Sequence, residues 1–390
     1  SSIGRAQAVV AQALAMDPEL VCAHLTSALI LSLQWRAPLA EASLRRALEI
    51  DPDNVTALSL LGNAAAYEGR PREALALHER AQALDPLNPM SKFLRPQVLL
   101  HLGRTEEAIA LAREGIAGYP QARSALARVL LAVGQIAEAS TALSSMVGDA
   151  RSENYVLMMQ VAADSALGKL VSARATMAAV PQGFSRIPIY GETRARLFWQ
   201  QGAYADALAW IESADGVRLA DPWRQVLRAH TRALAGDEAG ALADYDAALA
   251  AESDRLIIAY SWYPLHFGLG ELANHAALRA SQDLDAKPAR DEFARILDGM
   301  IDGGTELPAI DYLQAVRAAL DGDATAADQR LGRALEHGWR DPIALDIDLA
   351  WRTYRGTPWL QARRAQLAAH LDAERAALAG NAGASPPAVR

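Results

Sequence analysis

Apolar residues in this chain fall in blocks of helical length, cut at nearly even intervals by glycine or by Asp-Pro. In "VTALSLLGNAAAYEGRPREALALHERAQALDP", residues 55–86, one block ends at Gly69 and the next at Pro86. Glycine tolerates the left-handed conformation that closes a helix. Proline lacks an N–H and biases the preceding residue away from the helix, so it stops the second block. Two helices that cross closely need a small side chain at the crossing, and Ala74 stands there. Each pair of blocks therefore predicts a helical hairpin. Strand patterns of β-branched residues are absent, so the predicted fold class is all-α.

The hairpin recurs. Pro18, Pro52, Pro86 and Pro120 lie 34 residues apart, as do Gly69 and Gly103. After one step of 31 the glycines resume at Gly134, Gly168, Gly202 and Gly236, again 34 apart. Five residues after each comes alanine: Ala74, Ala108, Ala139, Ala173, Ala207 and Ala241. Asn88-Pro89 reads as a helix cap followed by proline at the first helical position. A fixed period of this length marks a stacked repeat. Units are read near 21–52, 55–86, 89–120, 121–150, 154–183, 188–217, 222–251 and 255–284, the last with Gly268 and Ala273. An imperfect pair follows at 289–320, then a unit with Gly322, Ala327 and Ala334. After Gly338 the register changes to a short helix, a Gly-Thr-Pro turn and a long helix from about Pro358 to Leu378, with Leu360, Leu367 and Leu371 in helical period. An open array must cover its last apolar face, so this segment reads as a cap. The expected organisation is an array of about eight hairpins over 1–286, imperfect hairpins over 287–337, capping helices over 338–379 and a disordered, Pro/Gly-rich tail over 380–390.

At Leu58, Leu61, Gly62, Gly69, Ala74, Ala81 and Pro86 the second unit resembles the tetratricopeptide repeat family. Its usual aromatics are replaced by Ala65 and His78, and the fifth unit has Gln160 and Asp164 where apolar residues are expected. The resemblance implies a right-handed superhelical solenoid whose first helices line a concave groove for a protein or peptide. Carried over position by position, the groove side chains are Ser59, Asn63, Tyr67, Phe93, Gln97, His101, Arg128, Tyr155, Met158, Arg196, Trp199, Trp223, His230, Trp262 and His266. Trp199, Trp223 and Trp262 would stack on a ligand that Arg128 and Arg196 orient, since aromatics and arginines are common binding anchors. The competing expectation is that the tryptophans pack between helices. Some family members clamp a chaperone's C-terminal carboxylate. Asn63 stands at one clamp position, but Ser59 occupies the place that needs a basic residue, which argues against a clamp.

Composition narrows the chemistry. An apolar content of 51% is enough to bury a core, and a formal charge of −8 disfavours direct binding to nucleic acid. Cys22 is the only cysteine, so neither an intrachain disulfide nor a thiolate metal cluster is available. This fits a reducing compartment without demanding one. No apolar run reaches membrane-spanning length, so membrane attachment would need a segment preceding Ser1; the abrupt start of "SSIGRAQAVV" within a helical pattern reads as a fragment. The eight histidines show no HExxH spacing. Cys22 and His24 fall on different helix faces and read as a buried cysteine and a surface histidine. His101, His230 and His266 would give a pH-responsive surface if they shared the groove. "GLGEL" at 268–272 reads as a hairpin turn and not a phosphate loop, and Asp346 and Asp348 read as solvated. No cofactor, metal or catalytic residue is assigned, and no enzyme is expected.

A finer resemblance is carried by Trp35, Ala40, Leu44, Arg45, Arg46 and Ala47, by Pro86 and Pro89 in "DPLNP", and by "EHGWRDPIALDIDLAWRTYRGTPWLQARR". It is to the C-terminal repeat region of bacterial winged-helix, ToxR-like transcriptional regulators and of related signalling proteins with a cyclase or kinase head. It implies a non-catalytic sensory or partner-binding region that passes a change in curvature or self-association to another segment. In ToxR-like members this region lies outside the inner membrane, which would make it periplasmic; without an anchor it would be cytoplasmic. The alternative is a stand-alone scaffold that assembles partners through the groove.

Overall fold

A computed structural model of the chain describes residues 2–33, 36–118, 122–146, 153–181, 188–213, 222–256 and 269–382. The described residues form helices and turns without strands, and they divide into two compact units.

Unit 1 comprises residues 1–122 and 299–306. Its helices are α1 (Ser2–Met16), α2 (Val21–Leu33), α3 (Ala37–Ile50), α4 (Val55–Tyr67), α5 (Pro71–Leu84), α6 (Pro89–His101) and α7 (Thr105–Gly118). From α2 onward they pair as hairpins: α2 with α3, α4 with α5, α6 with α7. Unit 2 comprises residues 123–298 and 307–390. It contains α8 (Ala122–Ala132), α9 (Ile136–Ser144), α10 (Glu153–Ala166), α11 (Leu170–Ala179), α12 (Pro188–Trp199), α13 (Tyr204–Ile211), α14 (Trp223–Ala235) and α15 (Glu238–Leu256). These are followed by α16 (Leu269–Ser281), residues 287–298 of α17 (Lys287–Asp302), α18 (Pro308–Leu320), α19 (Ala324–Glu336), α20 (Ala344–Ile347), a 3-10 turn at Leu349–Trp351 and α21 (Pro358–Ala382). Within each unit neighbouring hairpins pack side by side, which makes the fold an all-α solenoid of tetratricopeptide-type hairpins with a C-terminal capping helix.

The repeat glycines do what the sequence asks of them. Gly69, Gly103, Gly134, Gly168, Gly202 and Gly236 all have positive φ, between 67° and 90°. The residue after each glycine donates its N–H to a carbonyl five residues back, as in Arg70 to Ala65 (2.8 Å) and Lys169 to Asp164 (2.8 Å). That bond satisfies a carbonyl the ending helix leaves open. The six alanines that follow are fully buried at 0% exposure, so no larger side chain fits the crossings. At the joints Asn54 caps α4, its Oδ1 accepting from Ala57 N at 3.0 Å, and Asp323 caps α19 through Ala326 N at 2.9 Å.

Departures from the repeat are absorbed locally. The polar residues of the fifth unit form their own network: Gln160 donates to Ser140 Oγ and Asp164 Oδ1, both 3.2 Å, and Ser172 donates to Asp164 at 2.7 Å. His78 takes an aromatic position, is fully buried, and lies 3.0 Å from where a Cβ on Gly62 would stand. Residues 299–306 pack on the α4–α5 and α6–α7 turns of unit 1: Glu306 N donates to His101 O at 2.7 Å, and a Cβ on Gly303 would fall 1.9 Å from Gly69 O. In unit 2, α21 buries Leu360, Leu367 and Leu371, and it packs on α9 as well as α19. It therefore covers more than the last hairpin. It also runs to Ala382, past the expected end near Leu378 and into the expected tail; the rest of that tail lies outside the described residues.

Candidate functional site

The expected groove residues have different fates. In unit 1, Asn63 and Tyr67 are half-buried, while Ser59, Gln97 and His101 are buried. In unit 2, Arg128, Met158, Trp199, Trp223 and His230 are buried, and Arg196 is largely so. The side chains of Phe93 and Tyr155, and all of Trp262 and His266, lie outside the described residues. Trp199 and Trp223 are thus packed inside the chain rather than displayed. His101 and His230 belong to different units. Cys22 is exposed, contrary to the sequence expectation, and His24 is half-buried with Nε2 at 2.9 Å from Pro18 O.

Arg196, Trp199 and His230 do come together. They line a cavity of about 30 Å³ inside unit 2, with Glu192, Glu271, Asn274, Tyr312, Asp341 and Asp348. Helices α12, α14, α16 and α18 supply one wall and the non-repeating segment 338–351 the other. That segment is anchored by aromatic packing. Trp351 is fully buried, and Trp339 stacks on Tyr312 with ring centroids 4.1 Å apart.

Most of the polar groups around the cavity are placed by a nameable partner; Glu192 Oε2 and His230 Nε2 are not. Arg196 Nη2 donates to both oxygens of Asp341, 2.6 Å each. Trp199 stacks on His230 at 4.6 Å and donates Nε1–H to Thr231 Oγ1 at 3.0 Å. Leu349 N donates to Asn274 Oδ1 at 2.8 Å, which turns the Asn274 amide nitrogen toward His230. Tyr245 donates to Glu271 Oε2 at 2.6 Å, and His230 Nδ1 lies 3.1 Å from the same oxygen. Tyr312 donates to Asp348 and accepts from Trp351 Nε1 at 3.0 Å.

Electrostatics separates three of the carboxyl groups. Burial pushes Glu192 up to about 8, because Arg196, 4.0 Å away, is already committed to Asp341. Burial also raises Asp348 to about 6, against the hydrogen bond from Tyr312. The expectation of a solvated Asp348 is therefore corrected: the residue keeps some solvent contact, but its carboxylate is enclosed by protein. Asp346 is exposed and pairs with Arg364 at 2.7 Å. Glu271 is also opposed by burial, yet it is held below the ordinary range by His230, Tyr245 and Asn274.

Sequence reading missed Glu192, Glu271, Asn274, Tyr312 and Asp341. One signal was available: Glu192 and Arg196 are four apart within "IYGETRARLFW", where a charged pair shares a helix face with bulky apolar residues. Among the described residues no group of three or more His, Cys, Asp or Glu is placed to hold a metal ion, and no helix is long and apolar enough to cross a membrane.

No protein-family model matches the chain, and no curated protein matches it. Solved structures do resemble it at low identity. A tetratricopeptide repeat protein from Parabacteroides merdae is 18% identical, with 59% of this chain and 92% of that one covered at a TM-score of 0.41. PilF of Pseudomonas aeruginosa is 22% identical, with coverage of 49% and 88% and a TM-score of 0.36. YrrB, described as a tetratricopeptide protein with an unusual peptide-binding site, is 18% identical, with coverage of 43% and 89% and a TM-score of 0.29.

Proposed function

We infer that the chain is a non-catalytic protein-interaction module, and that the hairpin faces recognise an extended protein segment. The observation that carries this reading is internal to unit 2. There the helices of successive hairpins already hold a non-repeating stretch of the chain, residues 338–351, by the devices used to hold a peptide. Arg196 grips Asp341, Tyr312 grips Asp348, Asn274 takes a backbone N–H and Tyr312 stacks on Trp339. Polar side chains that fix register around buried aromatic anchors are the usual anatomy of peptide recognition. In unit 1 the corresponding accessible positions are Asn63 and Tyr67. An external partner is read there.

Peptide-array screening of the full chain, followed by fluorescence polarisation of the hits, tests this. Asn63→Ala and Tyr67→Ala should weaken the confirmed hits; hits unaffected by both would place recognition elsewhere. The finer reading, a sensory region of a bacterial transcriptional regulator or signalling protein, is supported by the sequence resemblance at Trp35–Ala47 and after Gly338. Coding sequence preceding Ser1 that specifies a winged-helix, cyclase or kinase segment would support it, and coding sequence specifying none would remove it.

A further inference from the structure

Unit 2 holds a second and larger pocket, of about 270 Å³, between α11, α12 and α13. Met177, Leu197 and Phe198 give it an apolar wall. Two arginines line it as well, Arg174 of α11 and Arg194 of α12. Arg174 donates from Nη1 to Gln201 Oε1 at 2.8 Å. Arg194 donates from Nη1 to the Tyr190 hydroxyl at 2.9 Å and lies over the Trp210 ring, 5.1 Å from its centroid. Among the described residues neither guanidinium is paired with a carboxylate. Asp206 of α13 lines the same pocket, is exposed, and pairs with neither.

The repeat itself shows what Arg194 lacks. With Gly202 in register with Gly69, Arg194 stands where the second unit has Leu61, which is 2% exposed. One period further on, Arg228 holds the same place, and there Asp244 accepts from its Nε at 2.8 Å and its Nη2 at 2.5 Å. The residue 34 before Asp244 is Trp210, which offers Arg194 a ring face and no carboxylate. This hairpin keeps the arginine and omits its acid.

The chemistry of the pocket selects the occupant. A guanidinium stays charged at any pH the fold survives, and its planar fork matches a carboxylate. Tyr190 and Trp210 hold Arg194 in place and leave its Nε and Nη2 hydrogens to donate elsewhere. Two guanidiniums against the single carboxylate of Asp206 leave one positive charge, which a monoanionic head group balances. The apolar wall takes an apolar body. Ligand pockets run from about 300 Å³ upward, so this volume suits a compact molecule.

We propose that the pocket between α11, α12 and α13 binds a compact apolar monocarboxylate, its head accepting from Arg194 and Arg174 and its aromatic or branched aliphatic body lying on Met177, Leu197 and Phe198. The site belongs to unit 2 and does not depend on peptide recognition on unit 1.

The test uses the full chain. Thermal unfolding at constant pH and ionic strength is followed with millimolar phenylacetate, cinnamate and isocaproate. Phenylacetamide removes the charge, acetate removes the body, and phenyl phosphate changes the head. Calorimetric titration then gives Kd. The expected result is a saturable rise in Tm with at least one of the three carboxylates, none with phenylacetamide or acetate, and weaker binding of phenyl phosphate. Arg194→Leu supplies the residue the repeat uses at that place; it should fold and weaken binding at least about tenfold. Arg174→Ala, at an exposed position, should weaken it severalfold. No rise with any of the three carboxylates, an equal rise with phenylacetamide, or tighter binding of phenyl phosphate would each overturn the proposal. So would wild-type affinity in Arg194→Leu or, if that variant fails to fold, in Arg174→Ala.

Discussion

Replacing His78 by phenylalanine should remove an acid-sensitive element from unit 1. The His78 ring is fully buried and neither ring nitrogen has a hydrogen-bond partner. Burial, with a smaller contribution from Arg95, depresses it from 6.5 to about 4. The folded state therefore holds His78 neutral where the unfolded chain protonates it. For a depressed group, stability is fully present above the unfolded value and lost as pH falls toward the folded one. The window here is pH 6.5 down to 4, and at about 1.4 kcal/mol per pH unit the loss is about 3 kcal/mol. Phenylalanine has nearly the same outline beside Gly62 and carries no protonation site. Relieving an unsatisfied buried polar group should also stabilise the variant by about 1–3 kcal/mol at neutral pH. Urea unfolding of both proteins, followed at several pH values through that window, measures the difference directly and cancels groups common to both. Curves that stay parallel from pH 6.5 to 4 would refute the reasoning, because they would mean that His78 finds water or a partner in solution.

Glu192 carries the opposite sign: with its value raised from 4.5 to about 8, its contribution is complete below pH 4.5 and lost as pH rises through 8. Glu192→Gln should therefore gain stability relative to wild type across that range, and a constant difference would show the carboxyl already ionised. Arg196→Ala leaves Asp341, 1% exposed at its side chain, without its cation and should cost about 3–5 kcal/mol by thermal or urea unfolding of unit 2. A loss below about 1 kcal/mol would place that pair at the level of a surface salt bridge. Gly303→Ala puts a Cβ 1.9 Å from Gly69 O and should lower the melting temperature, whereas Gly299→Ala, with nothing within 4 Å, should leave it unchanged or raise it. Equal behaviour of the two would show that segment 299–306 does not press on the α4–α5 turn.

The hairpins were legible because each one poses the same geometric problem and solves it with the same residues. A left-handed turn needs glycine and a close crossing needs alanine, so Gly134 and Ala139 announce their roles by spacing alone. The cavity in unit 2 has no such period. Its donors and acceptors come from four hairpin helices and from a segment that does not repeat; Arg196 and Asp341 are 145 residues apart. On a helix read alone, Glu192 and Glu271 look like ordinary polar positions, and Asp348 looks like a solvated charge. Only the aromatic residues of 339–351 hint otherwise, since a stretch with Trp339, Leu345, Ile347 and Trp351 must bury its apolar side chains somewhere and takes its acids with it. The same reasoning reinterprets the expected groove. In unit 2 the positions that would face an external peptide, Arg196 and His230 among them, face the chain's own segment and a small polar void. The repeat specifies where inner-face side chains point, and the non-repeating residues decide what they meet.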